Sequence, residues 1–269
     1  TDWLMAGGSK MALEVLVYDT PEWVEGERVI WSAPDLAREH REILEKRIAG
    51  DPESVGWLTG FPSLDREMRY RPGAFWMVAA STGTGKSAFL LSLQRRATVP
   101  SILFSVEMSR TEVLDRLLAA EANVDSWKIA RGDIDREERR RVEQALEQFE
   151  RTDIQVVDTP GLSTKALGSI LRIGRVKYGL RVAYVDYVGL LTDREGSSRY
   201  EHMTNIVHEL KNIAREAGVC IVAASQVSRK GDRRSGEPPF MDEMRDSGVL
   251  EEDAHVVLAI GRAEGSREA

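Results

Sequence analysis

From residue 55 onward the chain is built of short apolar runs separated by longer segments with helical periodicity. Six runs, at 75–80, 102–106, 154–158, 181–187, 219–224 and 255–260, are apolar or β-branched and end in polar or glycine-containing turns. Their length and boundaries predict strands. Between them, apolar positions recur at three- and four-residue spacing and predict helices over 86–97, 109–120, 135–150, 163–177 and 198–217. Strands alternating with helices predict an α/β fold with a mainly parallel central sheet covered by helices on both faces. Ligands of such sheets bind at the carboxyl ends of the strands.

The first 54 residues follow a different pattern. Ser9 to Val17 reads as a short helix, followed by a turn at Thr20-Pro21 and a tryptophan-bearing segment. Pro34 fits the first turn of a second helix, Asp35 to Ala49, which Gly50 ends. Leu36, Ile43, Leu44 and Ile48 share one face of it, and Arg and Glu crowd the other. That apolar stripe predicts packing on the phosphate-loop domain that follows or on a neighbouring subunit. Residues 51–54 read as a linker, and the globular domain is expected to begin near Val55.

Composition narrows the class. With 269 residues and 42% apolar content the chain can bury a large core. No apolar run approaches the length of a membrane-spanning helix, so no membrane partner is expected. The N-terminus has neither an initiating Met nor the basic and apolar regions of a secretory leader, which points to a fragment or a processed form. The one cysteine, Cys220, sits in an apolar run and reads as a core thiol in a reducing compartment. The four histidines lack metal-ligand spacing, and His202 and His208 read as solvated. A net charge of −7 argues against indiscriminate binding to nucleic acid, so any such site must be local.

The chemistry concentrates at strand ends. After the 75–80 run comes Ser81-Thr82-Gly83-Thr84-Gly85-Lys86-Ser87, leading into a helix. Strand, glycine-rich loop and helix form the context of a phosphate loop (P-loop) for a nucleoside triphosphate. Backbone N–H groups would cradle the phosphates, Lys86 would reach the β- and γ-phosphates, and the Ser87 hydroxyl would hold Mg²⁺. Ala80 stands where the first glycine of this motif usually falls. Asp186 closes one apolar run and is suited to Mg²⁺ coordination. Glu107 follows another and is suited to deprotonating an attacking water. Gln226 follows a third, where an amide can register a γ-phosphate. Directly after it, Arg229, Lys230, Arg233 and Arg234 make a cationic loop suited to a phosphate backbone. Ser197-Ser198-Arg199-Tyr200 is a weaker second loop candidate.

Taken in order, several segments resemble the DnaB-like family of hexameric replicative helicases. Thr59-Gly60-Phe61-Pro62-Ser63-Leu64-Asp65 is similar to the motif that opens its motor domain. Phe104-Ser105-Val106-Glu107-Met108-Ser109 is similar to its S-x-E-M-S element, and Val185-Asp186-Tyr187-Val188-Gly189-Leu190-Leu191 to its D-Y-x-x-L element. Ala224-Ser225-Gln226-Val227-Ser228-Arg229 is similar to its S-Q-L-S-R, and the stretch from Met244 to Ala254 to its L-R-E-S-G-x-I-E-x-D-A. The resemblance spans about residues 54–262 and implies a RecA-like P-loop NTPase fold preceded by a short helical extension. It implies an ATP-dependent (or other NTP- or dNTP-dependent) DNA helicase using Mg²⁺, with Glu107 as the catalytic carboxylate. It further implies a homo-oligomeric ring, a hexamer, with Arg245, Asp246 and Gly248 lining a channel for single-stranded DNA. An arginine reaching into a neighbour's nucleotide site is part of the family pattern. Arg262 is the best candidate, and the expected result of a missing finger is a slow ATPase.

The front of the chain, Asp2-Trp3-Leu4-Met5-Ala6-Gly7-Gly8 and Ala12-Leu13-Glu14, looks like the tail of a Toprim primase domain. Residues 52–56 resemble the linker junction of phage primase–helicases and their mitochondrial relative Twinkle. The implied organisation is a primase tail over 1–31, a linker helix over 32–54 and a motor domain over 55–269. The implied partners are the primase and polymerase of a replisome. The implied setting is the cytoplasm of a bacterial or phage-infected cell, with the mitochondrial matrix second. No primer synthesis is expected, because the metal-binding carboxylates and zinc module of a primase would lie upstream. Two alternatives stay open at this stage: a RecA-like ATPase of the clock or repair type, and a nucleotide-binding module that organises a replisome without turnover.

Overall fold

The computed structural model describes residues 31–193, 198–226 and 253–261. These fall into two compact units, divided between Gly50 and Asp51. In the first, Ser32 caps helix α1 (Ala33–Ile48) by accepting from the Asp35 N–H, and Pro34 sits in the first turn. The helix buries none of its residues, and Leu36, Leu44 and Ile48 are exposed. The expected primase-like segment over 1–31 lies, but for Trp31, outside the described residues.

The second unit opens with two helical turns, α2 (Pro52–Val55) and α3 (Pro62–Asp65). The expected linker at 51–54 is therefore helical, because the Asp51 carboxylate caps it by accepting from Glu53 N–H and the Ser54 hydroxyl. The chain then runs β1 (Phe75–Ala80), α4 (Lys86–Arg96), β2 (Ser101–Ser105), α5 (Arg110–Ala122), α6 (Ser126–Arg131), α7 (Arg136–Phe149) and β3 (Ile154–Val157). It continues through α8 (Thr164–Tyr178), β4 (Val182–Asp186), a 3₁₀ turn at Val188–Leu190, α9 (Arg199–Ala217), β5 (Cys220–Gln226) and β6 (Val256–Ile260). The six strands pair in the order β3-β2-β4-β5-β1-β6, and every pairing is parallel. The α/β expectation is thus met. The helix α6 was not expected.

Burial explains the layers. β1, β2 and β4 are buried along their whole length, so consecutive residues serve opposite faces. Phe75, Met77, Phe104, Val185 and Ile221 pack with Leu167, Leu171, Leu210 and Ile213 of α8 and α9. Trp76, Val78, Leu103, Tyr184 and Val222 pack on the other face with Leu90, Leu93, Val113 and Leu117 of α4 and α5. A smaller cluster, Leu118, Ala122, Val124, Val142 and Ala145, joins α5 to α7. Buried Tyr184 donates to the Tyr70 hydroxyl at 3.1 Å, and burial raises both phenols above their ordinary range. Burial likewise pushes the Cys220 thiol up, so it stays protonated and inert, as expected of a core residue. No helix among the described residues is long and apolar enough to cross a membrane.

Two histidines act structurally. The Phe75 N–H donates to His255 Nδ1 at 3.1 Å, fastening the start of β6 to β1. His208, expected to be solvated, is half exposed yet lies 2.7 Å from buried Asp253, which Lys211 also contacts at 2.9 Å. Among the described residues no group of three or more His, Cys, Asp or Glu is arranged to hold a metal.

Candidate active site

The parallel sheet puts its carboxyl ends on one edge, and strand order decides which ends are neighbours. Ser105 lies opposite Asp186 across β2 and β4, and Ala80 opposite Gln226 across β1 and β5. The phosphate loop leaves β1 at that edge. The Thr84 N–H and hydroxyl both donate to the Ser81 carbonyl, at 3.2 and 2.7 Å, closing the loop into a turn. Gly85 then caps α4 at φ +97° with no side-chain cap, leaving the first N–H groups of the helix directed outward as an anion-binding end.

Lys86 stands at that helix start, and its side chain is only 12% exposed. Its ammonium lies 3.1 Å from Asp186 Oδ1, 3.7 Å from Glu107 Oε2 and 3.6 Å from the centroid of the Tyr187 ring. Asp186 is the last residue of β4 and is 1% exposed. The ammonium sits off the line of a hydrogen bond, so Asp186 Oδ1 is buried with no hydrogen-bond partner among the described residues. A buried carboxylate oxygen in that state is a cation ligand in waiting. The Ser87 hydroxyl, half-buried one residue beyond Lys86, adds a second oxygen of the hard type that Mg²⁺ prefers. The residues therefore fit Mg²⁺.

Glu107 stands two residues beyond the end of β2, not at the strand end as the 102–106 expectation had it. Its bend is pinned from both sides. The Ser105 hydroxyl donates to the Met108 carbonyl at 2.7 Å and accepts from the Met108 N–H at 3.3 Å. Ser109 starts α5 with a capping box in which Glu112 accepts from the Ser109 N–H at 2.9 Å. A strand-edge bond from Val106 N–H to the Asp186 carbonyl, 3.0 Å, ties the bend to β4. The Glu107 side chain is 52% exposed and so is open to water and to a phosphate. Gln226, expected just past its strand, is the last residue of β5, and its Nε2 donates to Thr82 Oγ1 at 3.0 Å.

Behind the loop, the segment from Thr59 to Asp65 buttresses α4. The Thr59 N–H and hydroxyl both donate to Asp65 Oδ1, at 2.7 and 2.8 Å. The Phe61 ring then packs against Phe89 and beneath the Arg96 guanidinium, 4.7 Å away. The sequence thus points to residues the structure brings together: Ser81, Thr82, Gly83, Thr84, Gly85, Lys86, Ser87, Glu107, Asp186 and Gln226. Arg229, Lys230, Arg233, Arg234, Arg245, Asp246, Gly248 and Arg262 lie outside the described residues. Sequence reasoning assigned no part to Ser105 or to the Tyr187 ring. The signals for them were their places in the D-Y-x-x-L-like and S-x-E-M-S-like segments, Tyr187 beside Asp186 and Ser105 two residues before Glu107.

Comparison with known proteins gives the family and the fold. Residues 56–269 match the family described as DnaB-like helicase C terminal domain. The replicative DNA helicase DnaC of Bacillus subtilis is 30% identical over 215 residues, covering 77% of this chain and 47% of that protein. DnaB of Geobacillus stearothermophilus is 30% identical over 228 residues, covering 82% and 50%. The chain therefore spans about half the length of the curated relatives it matches. Among solved structures, one described as an ATPase domain superposes with a TM-score of 0.73 at 29% identity, covering 84% of this chain and 83% of that one. A DnaB-like replicative helicase, whose structure was described with its interactions with primase, gives 0.70 at 27% identity, covering 92% and 59%. The fold is RecA-like, and the chain belongs to the family of DnaB-like helicase C-terminal domains.

Proposed function

We propose that this chain is the motor of an ATP-driven replicative DNA helicase that moves on single-stranded DNA and unwinds the duplex. The observation that carries the reading is the convergence on one ammonium: Lys86, at an uncapped helix start, lies between buried Asp186 and open Glu107. In the proposed reaction Lys86 and the α4 N–H groups hold the β- and γ-phosphates. Glu107 orients a water and accepts its proton as the water oxygen bonds to the γ-phosphorus and the bond to ADP breaks. Ser87 and Asp186 would hold Mg²⁺, which when bound neutralises phosphate charge. Gln226 exchanges Thr82 for the γ-phosphate, and the cationic residues that follow it in sequence, with the Arg245 segment, change their grip on the DNA backbone. Support for that coupling is that Arg229, Lys230, Arg233 and Arg234 follow the end of β5 in sequence within eight residues.

The reading includes a homo-oligomeric ring, a hexamer, with nucleotide sites between subunits. The exposed Leu36, Leu44 and Ile48 of α1 would dock on a neighbouring copy, and Arg262 is the candidate trans arginine. Primase and polymerase are proposed partners, and the cytoplasm the proposed setting. The test is ATP turnover with and without single-stranded DNA, beside fork unwinding and mass photometry. DNA-stimulated turnover that falls by about 10²–10⁴ in Glu107→Gln and is lost in Lys86→Ala is expected. Binding of ATP without turnover would instead make the chain a nucleotide-gated assembly module. Turnover that survives Lys86→Ala would refute the site.

A further inference from the structure

Among the described residues three groups meet the Lys86 ammonium, and one of them carries no charge. The Tyr187 ring is half-buried, packs against the core on the α4 side of the sheet, and presents its face to Lys86 Nζ at 3.6 Å. That is well inside the range in which an aromatic face attracts a cation. The ring is also given room. A Cβ on Gly189 would lie 2.8 Å from Tyr187 Cε2, so any other residue at 189 would press on the ring. Tyr187 adjoins Asp186 in sequence, so the strand that fixes the carboxylate also fixes the ring's anchor.

The chemistry of the three partners differs. Asp186 and Glu107 attract the ammonium by charge, and a triphosphate competes with them for the same ammonium by the same means. An aromatic face attracts a cation through its quadrupole and offers no site to an anionic phosphate. It can therefore keep its hold while the anionic partners are exchanged. We propose that Tyr187 is a positioning residue for the phosphate-loop lysine: its ring face holds the Lys86 ammonium in place as the ammonium passes from Asp186 and Glu107 to the triphosphate. The proposal rests on the ATPase reading of this site.

A misplaced ammonium costs more in the transition state, where charge develops at the phosphates, than in ground-state binding. The expected signature is a fall in kcat with little change in KM. Tyr187→Phe keeps the ring and should stay within about twofold of the parent, whereas Tyr187→Leu should lose about tenfold in kcat, matching a cation–π contact in a largely desolvated setting. Gly189→Ala should lower kcat in the same sense by displacing the ring. Should Tyr187→Leu or Gly189→Ala fail to fold, phenylalanines carrying one, two and three fluorines at position 187 decide the matter. They keep the ring's shape while draining its face of negative charge, and kcat should fall stepwise along the series. A flat series, or leucine performing as well as phenylalanine, overturns the proposal. Lys86→Ala, assayed alongside, separates the two levels: if it retains turnover, the ATPase reading itself has failed, and if it is dead while the fluorinated series is flat, only the role of Tyr187 has failed.

Discussion

Gly60→Ala should be among the most damaging small substitutions in the chain, although position 60 is remote from Lys86 in sequence and holds no chemistry. Gly60 has φ +80°, a conformation that costs an L-residue roughly 1–2 kcal/mol. An added Cβ would also lie 2.7 Å from Arg96 Cβ and against the Arg96 carbonyl oxygen, at the C-terminal end of α4. Ordinary carbon contacts are about 3.5–4.0 Å, so a gap of roughly 1 Å must open. The opposing atoms are backbone and Cβ, which cannot swing aside, and overpacking of this kind costs about 1–3 kcal/mol. The two effects together give about 2–5 kcal/mol. Gly179 supplies the control, because it has φ +65° but nothing within 4 Å of an added Cβ. Gly179→Ala should therefore cost only the conformational part, about 1–2 kcal/mol. Urea midpoints for the parent and both variants measure the difference. The turnover of Gly60→Ala, assayed where it is folded, should also fall, because Lys86 and Ser87 sit at the other end of the displaced helix. Equal midpoints for the two variants would refute the idea that the Thr59–Asp65 segment braces α4.

Ser105→Ala removes a hydroxyl that both donates to and accepts from the buried Met108 backbone, and should cost about 1–3 kcal/mol. Because that hydroxyl shapes the Glu107 bend, turnover should drop several-fold while nucleotide affinity, read by a fluorescent analogue, stays unchanged. A third prediction concerns acid. The N–H groups of Glu138 and then Glu137 at the start of α7 hold the Asp135 carboxyl below its usual range, and the Ser109 N–H does the same for Glu112 at α5. A depressed folded value means stability that is complete above the ordinary carboxyl range near ~4 and is lost as pH falls through the lower folded value. Urea midpoints should therefore fall below about pH 4. Asp135→Asn, which caps without titrating, should flatten part of that fall, and a variant profile that superimposes on the parent's would exclude the α7 cap as its source.

The elements were legible in the sequence where burial imposes a local pattern. β1, β2 and β4 are buried at every position, so apart from Asp186 at the end of β4 their residues are apolar or small, and each read as a strand. Helix α6 was not legible by periodicity because six residues give fewer than two turns. Its signal lay in the caps, Asp125 accepting from the Trp127 N–H before it and Gly132 in a left-handed conformation after it. The helical turn at 52–55 was missed for the same reason, with Asp51 before it and Pro52 inside it.

The site was legible for a different reason. A parallel sheet sends every carboxyl end to one edge, so polar residues closing separate apolar runs must share that edge. Which of them touch is set by strand order, and order depends on pairings between segments far apart in sequence. β4 sits between β2 and β5, so Asp186 is one strand from the Glu107 bend and two from the phosphate loop. Had β3 taken that place instead, Asp186 would stand about 4.8 Å further away for each strand moved, beyond the reach of Lys86. Even with the order known, Glu107 would be misplaced by a reading that runs β2 to residue 106. The strand stops at Ser105, one last bond to β4 follows from the Val106 N–H, and the Ser105 hydroxyl turns the chain back on the Met108 backbone. The carboxylate therefore comes within 3.7 Å of Lys86 through a bend that a serine hydroxyl holds, beyond what strand geometry alone provides. The serines of the S-x-E-M-S segment thus have a physical task. The first aims the glutamate and the second starts the helix that follows it, so a substitution at Ser105 should act on turnover through a residue it does not replace.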